Sequence, residues 1–292
     1  MTITAEVIAD SMSPEGHRIT TMQLRYPRFI HAEFMTHRVF SRNASSSRAI
    51  PVKKMIEDLR RDPAMPIYWG ANQKGMQAGK ELVGRERRLV EEAWLEEMEE
   101  AITTAQFMVE SGLHKQIANR ILEPWAHINV VVTATEWDNF FNLRAHPDAQ
   151  PEIQQLALEM INAMAGSQPN HLKPGDWHLP YITAQEWSDQ YYSPSQTSGW
   201  ETLKRVSVAR CARVSYLTHD GRETTIEEDL QLYDRLVGST PIHASSTEHQ
   251  ATPDSTGHDT WTGWEHQAAH GNFVGWIQNR KLIEFQMNQG PS

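Results

Sequence analysis

The chain has 292 residues, with 27 Lys and Arg against 37 Asp and Glu, for a net charge of -10 with 14 neutral histidines. It can bury a full core as one large domain or two closely packed ones. Its acidity excludes broad, non-specific duplex binding but leaves room for a local cationic pocket. The single cysteine, Cys211, excludes an internal disulfide and leaves a thiolate metal cluster short of ligands. No apolar run approaches the ~20 residues of a membrane span. The N-terminal MTITAEVIADSM lacks the basic-then-apolar order of a secretory leader. A cytoplasmic protein is therefore expected, with no membrane contact and no direct nucleic-acid contact.

In chain order, HRITTMQLRYP (17–27) alternates β-branched or apolar residues with polar ones and predicts a strand stopped by proline. Residues 29–35 predict a short helix that delivers His37 and Arg38 to its end. The next stretch, from Phe34 to Pro51, crowds His37, Arg38, Arg42 and Arg48 among serines and Asn43. Such a segment is either a solvated loop or an anion site, because hydroxyls and guanidinium forks are what a phosphate needs. Pro51 suits a first helical position, with a helix running to Asp62. From Gln77 to Ser111, Val83, Val90, Trp94, Ala101, Ala105 and Met108 recur at helical spacing, and Gly112 stops the pattern. A short helix through HKQIANRIL, a strand INVVVTAT, a helix EWDNFFNLR and a helix 151–164 follow. Residues 167–199 are rich in Pro, Ser, Gly and Trp and predict a surface connector. Helices over 201–211 and 225–236 and a polar tail complete the chain.

Several side chains carry potential chemistry. Arg120 and Arg144 sit in apolar frames, where a guanidinium is either salt-bridged structure or a ligand for oxygen atoms. PIHASSTEHQATP places His243, Ser245, Glu248 and His249 on a turn with at most one helical turn, suited to acid–base chemistry, a cofactor clamp or a satisfied polar cluster. His266 and His270 have a spacing at which two imidazoles share a metal, but no third ligand can be named, so no metal is expected. The common dinucleotide, NTPase and serine-hydrolase motifs are absent.

As a set, these pieces resemble the flavin-dependent thymidylate synthases, the ThyX family. That family carries Arg-His-Arg-x-x-Ser-x-Asn-Glu-x-Ser-x-Arg. Here Thr36-His37-Arg38 is followed by Ser46, with Ser41, Asn43 and Arg48 in register. NFFNLRAHPDAQPEIQQLA resembles a later family motif. RCARVSY and HASSTEH resemble motifs that precede the signature in the family but here follow everything else, as in a circular permutation. The resemblance implies an α/β (α+β) ThyX-like fold with a mixed sheet and long helices. Residues 1–166 would hold the signature and nucleotide-binding part, 167–199 the connector, and 200–292 the permuted segment completing the same domain.

It implies, further, a homotetrameric methyltransferase of dTMP biosynthesis that methylates dUMP at C5, with FAD as cofactor and NADPH and 5,10-methylenetetrahydrofolate as co-substrates. The alternatives are methylation or hydroxymethylation of another pyrimidine deoxynucleoside monophosphate such as dCMP, or a non-catalytic nucleotide-binding homologue. Carried over residue by residue, Arg144 and Ser46 would be catalytic, and Ser46, Ser47, Arg48, Arg120 and Arg144 would bind the nucleotide. His37, Arg38, Asn139, Ser215, His243, Ser245 and Glu248 would line FAD. The chain departs from the pattern at Thr36, Ala44, Glu33 and Thr133-Ala134-Thr135. Gln278 and Arg280 in the tail are candidates to supply what the family obtains at the positions of Glu33 and Thr36.

Overall fold

The structure, a computed structural model, describes residues 3–191, 196–214, 224–239, 242–257 and 263–288. Strand β1 (Thr4–Met12) turns through Ser-Pro-Glu-Gly into β2 (Arg18–Pro27). The turn closes because Gly16 adopts a φ of 84°, where its N–H reaches the Ser13 carbonyl at 3.0 Å. A 3-10 turn over Arg28–Ile30 and helix α1 (His31–Phe34) lead to β3 (Ser41–Ala44), and α2 (Val52–Arg61) and α3 (Gly84–Glu110) follow. Next come α4 (Lys115–Ala118), a 3-10 turn over Asn119–Trp125, β4 (His127–Ala134), α5 (Asp138–Arg144), α6 (Pro151–Ala165) and β5 (Asn170–His171). Helices α7 (Ala184–Tyr191), α8 (Gln196–Arg213) and α9 (Ile226–Val237) precede a 3-10 turn over Ala244–Glu248, then β6 (Ala251–Pro253), β7 (Trp276–Gln278) and α10 (Asn279–Asn288).

The main sheet has the order β3-β4-β2-β1-β5, antiparallel except for the parallel β1–β5 pair, so the fold is mixed α/β as expected. Alternation along the strands assigns its two faces. Met22, Leu24 and Tyr26 of β2 and Val130, Val132 and Ala134 of β4 are buried together with Ile153, Leu156, Ala157 and Met160 of α6 and with Phe34, Phe40 and Phe140. On the opposite face, Val131 packs against Cys211 and Val214 at the end of α8. A separate apolar cluster joins Met55, Ile56 and Leu59 of α2 to Met98, Ile102 and Ala105 of α3.

Several expectations need correction. Residues 4–12, to which the sequence assigns no element, form a full strand. The Ser41–Ala44 stretch is a strand rather than a loop, because its inward residues Ser41 and Asn43 find polar partners in the C-terminal part of the chain. The long helix starts at Gly84, not Gln77, since Gly84 has a φ of 60° that a helix cannot extend back through. HKQIANRIL yields only one α-helical turn before tightening to 3-10 geometry ahead of Pro124. The supposed surface connector contains α7 and a completely enclosed His178. The polar tail contains β7 and α10, with Phe273 and Trp276 buried against Ile19 and Ala251.

Candidate active site

The signature begins where α1 ends. His37 is buried, stacked on Phe40 and edge-on to Phe140 at 4.8 Å. Arg42 reaches back from β3, and its Nη1 donates to the carbonyls of Met35 at 3.1 Å and His37 at 2.9 Å. One guanidinium thus holds the carbonyls that α1 leaves unpaired at its C-terminus. Arg144, from the last turn of α5, donates its Nε to His37 Nε2 at 3.0 Å. Its Nη2 reaches the Thr36 hydroxyl at 3.4 Å, and its Nη1 lies 3.9 Å from Glu33. Accepting that bond requires His37 Nε2 to be unprotonated. Burial first, and then the Arg144 and Arg42 cations, push the His37 pKa down. The site therefore holds a neutral imidazole braced against a fixed cation.

The HASSTEH turn packs against β3 and α10. Glu248 pairs with Arg280 of α10, which also holds Glu284 at 2.7 Å. The buried Gln278 amide donates to Ser41 Oγ at 3.2 Å, to the Glu248 carbonyl at 3.2 Å and to Asn272 Oδ1 at 2.9 Å. Asn272 in turn donates to the Val39 carbonyl at 2.7 Å. The tail therefore clasps the signature loop at Val39 and Ser41. Gly271 fits this clasp, since a Cβ there would lie 2.5 Å from Gln278 Oε1.

Behind the loop, a hydrogen-bonded row crosses the sheet. Ser11 Oγ meets His178 Nδ1 at 2.9 Å, and His178 Nε2 meets Thr21 Oγ1 at 2.8 Å. Thr21 meets Thr133 at 2.7 Å, and Thr133 meets His249 Nδ1 at 2.9 Å. Burial lowers the pKa of both imidazoles to about 3, aided at His249 by the neighbouring His178. His249 Nε2 and the Ser246 hydroxyl are buried without a hydrogen-bond partner among the described residues.

The other expected site residues divide. Arg38, Asn139, His243, Ser245 and, in the turn after β3, Arg48 are exposed and Ser46 is half-buried, and among the described residues none of these side chains has a hydrogen-bond or ion-pair partner. Ser47 and Arg120 do not join them. The Ser47 hydroxyl donates to Glu123 Oε1 at 2.5 Å, Arg120 donates to the same oxygen at 2.9 Å, and Arg28 lies 3.2 Å from it. In this structure both are engaged by a carboxylate, which holds the groups a phosphate would take. Ser215 lies outside the described residues. His266 and His270 flank Asp254, Nδ1 and Nε2 facing its two oxygens at 3.0 and 2.8 Å, instead of sharing one helical face. Sequence reasoning missed Glu123, Asn272, His178 and the anchoring role of Arg42. The one available signal was the pair of threonines, Thr21 and Thr133, in otherwise apolar strands.

Residues 6–170 match the protein family described as thymidylate synthase complementing protein, and the chain belongs to that family. Membership makes it an enzyme of the methyltransferase type. Among solved structures it is similar to a UMP/dUMP methylase PolB from Streptomyces cacaoi bound with 5-Br UMP, at 19% identity and a TM-score of 0.46, covering 56% of this chain and 89% of that one. The same methylase bound with 5-Br dUMP aligns at 18% identity and a TM-score of 0.45, covering 56% and 90%. Comparison with curated protein sequences gives no match.

Proposed function

We propose that the chain is an FAD-dependent enzyme that methylates dUMP at C5, taking the carbon from 5,10-methylenetetrahydrofolate and reducing equivalents from NADPH. The observation that carries this reading is the Arg144–His37 contact inside the family signature. The guanidinium is braced through Nε by a neutral imidazole while its outer nitrogens make only the long contacts to Thr36 at 3.4 Å and Glu33 at 3.9 Å, and a cation fixed there stabilises negative charge on a pyrimidine ring as C5 becomes nucleophilic. A flavin dinucleotide fits the residues beside it. Arg38 offers an unengaged cation for a pyrophosphate, His243, Ser245 and Asn139 offer free polar groups, and the orphaned Ser246 hydroxyl marks polar capacity at the same turn. When bound, the reduced flavin supplies hydride. Ser46 and Arg48 would take the nucleotide phosphate, while Arg42 and Gln278 hold the loop that presents them.

A second reading rests on Thr36. Where the family has an arginine, this chain places a hydroxyl against Arg144, and the loss of a cation beside the ring fits C5 methylation or hydroxymethylation of another pyrimidine, such as dCMP. The test is purified protein incubated with FAD, NADPH, methylenetetrahydrofolate and each pyrimidine monophosphate, read by product mass. The expected result is a yellow protein and a methylated dUMP product. A colourless protein that cannot be reconstituted and leaves every substrate mass unchanged would overturn both readings.

Two architectural proposals accompany this one. The chain is a circular permutant in which residues 200–292 complete the unit begun by 1–166, with 167–199 as the bridge. What supports it is that α8 covers β4 and that Asn43 Nδ2 donates to the Cys211 carbonyl at 3.3 Å. Placing 200–292 ahead of Met1 through a Gly/Ser linker, with 167–199 kept because it carries β5 and the buried His178, should preserve cofactor binding; flavin-free products at every linker length would contradict it. The assembly is a homotetramer, supported by Leu89, Leu95, Phe107 and Val109 standing exposed on α3. A monomer by light scattering would contradict that.

A further inference from the structure

At the β1–β5 edge of the sheet, three strand spacings or about 14 Å from β3, lies a cleft of about 660 Å³. Its walls include Ser11 of β1, Asp176, Trp177, His178, Trp187 and Trp200. Its tryptophans all lie beyond residue 170, where the family match ends, and its other wall is β1 within that match. A cavity of this size accommodates a small organic ligand.

The chemistry of the lining narrows the ligand class. Trp187 and Trp200 meet edge to face with centroids 4.2 Å apart, so that the two indoles stand nearly perpendicular in the lining. Trp94, Trp125 and Trp276 elsewhere donate their indole N–H groups to backbone carbonyls at 3.1, 2.9 and 3.2 Å. Those of Trp177, Trp187 and Trp200 have no acceptor among the described residues, although all three rings are half-buried. These N–H groups are not among the buried unpartnered atoms and stay accessible to water, and a ligand that carries acceptor atoms can take the water's place. Asp176 supplies the complementary group. Its Oδ2 accepts the Lys173 N–H at 2.9 Å, and its Oδ1 is open. Asp10 does not compete, because Arg18, Thr20 and Ser167 already engage its two oxygens.

Charge excludes a phosphate. No lysine or arginine lines the cleft among the described residues, and His178 at its base stays neutral because burial lowers its pKa to about 3. Lys204, an ammonium beside the lining, sits 4.5 Å over the Trp177 ring and 2.7 Å from Glu201, so it is engaged twice. The ligand must then offer a flat aromatic face for the indoles, acceptor atoms for their N–H groups, hydroxyl donors for a carboxylate, and no anion.

We propose that this cleft binds a neutral ribonucleoside, with its base against the Trp187–Trp200 surface and its ribose diol donating to Asp176. Carboxylate recognition of ribose hydroxyls and indole stacking on bases are the forces that act in other nucleoside sites. The inference does not depend on the proposed reaction, since none of its residues belongs to the Arg144 site.

The test is a titration of the intact, 15N-labelled protein with uridine to about 1 mM, following the tryptophan indole resonances, with calorimetry for affinity. The indoles of Trp177, Trp187 and Trp200 should shift while those of Trp94 and Trp276 stay fixed. Asp176→Asn, or replacing uridine with its 2′,3′-dideoxy analogue, should weaken binding at least about tenfold, and UMP should bind the cleft at least about tenfold more weakly than uridine. Arg144→Ala should leave the three shifts unchanged, which separates this site from the proposed catalytic one. Still indoles at the highest uridine concentration would overturn the proposal. So would equal affinity in a folded Asp176→Asn, equal binding of UMP, or shifts induced by methyl glucoside or tetramethylammonium and not by uridine.

Discussion

Acidification should destabilise this protein through the two imidazoles buried behind the signature loop. His178 is 1% exposed and His249 0%, and burial lowers both pKa values to about 3, against about 6.5 in an unfolded chain. Between those limits the unfolded chain binds protons at both positions while the folded chain does not, so stability is complete above pH ~6.5 and falls as pH falls toward ~3. At about pH 5 each unfolded imidazole gains about 2 kcal/mol of protonation free energy, so the pair costs the folded state about 4 kcal/mol relative to neutral pH. The perturbation that isolates this from carboxylate titration is replacement by a neutral amide. His178→Gln can still meet Thr21, and His249→Asn can still meet Thr133 while removing the partnerless Nε2. Urea unfolding at about pH 7.5 and about pH 5, followed by circular dichroism at fixed protein concentration, measures the difference. Each variant should lose about 2 kcal/mol less than the parent between those pH values. Equal losses in parent and variants would refute the argument, because the imidazoles would then be titrating alike folded and unfolded.

Three further outcomes are expected. Arg144→Ala should lower turnover about a hundredfold with an unchanged melting temperature, since the side chain braces a ligand site rather than the core; unaltered turnover removes it from the mechanism. Gly271→Ala should destabilise by about 1–3 kcal/mol, because the position has a φ of 63° and the new Cβ meets the Gln278 amide at 2.5 Å; a thermal melt matching the parent would show that the clasp yields. Arg280→Ala leaves Glu248 without its cation and should weaken flavin binding about tenfold by fluorescence titration; an unchanged dissociation constant makes the tail pure scaffold.

Where burial imposes a period, the sequence exposes the structure. Met22, Leu24 and Tyr26 alternate because one face of β2 meets α6, and Trp94, Ala101 and Ala105 recur because one stripe of α3 meets α2. Strand β3 is opaque for the opposite reason. Its inward Ser41 and Asn43 are polar, and what makes them tolerable inside is an amide from β7 and a carbonyl from α8, both far along the chain. The same holds for Glu123. Nothing local announces that one carboxylate gathers Arg28, Ser47 and Arg120, two of which are expected from the sequence to face a nucleotide. In the sequence, Arg144 and His37 are only two members of one expected site. The hydrogen bond between them depends on how α5 ends, which spacing alone does not convey.

The clasp on the signature loop also has a consequence in time. Gln278 and Ser41 are 237 residues apart, and at about 5–20 residues per second a ribosome needs roughly 12–47 s to travel between them. Throughout that interval the loop carrying His37 and Arg42 exists without Asn272 or Gln278, and β3 presents inward polar groups to water. Only when β7 has left the ribosome can the loop be held. A chain cut short of residue 272 would carry every signature residue yet have no fixed place to put them, so quality control of this protein turns on the stretch from Asn272 to Gln278.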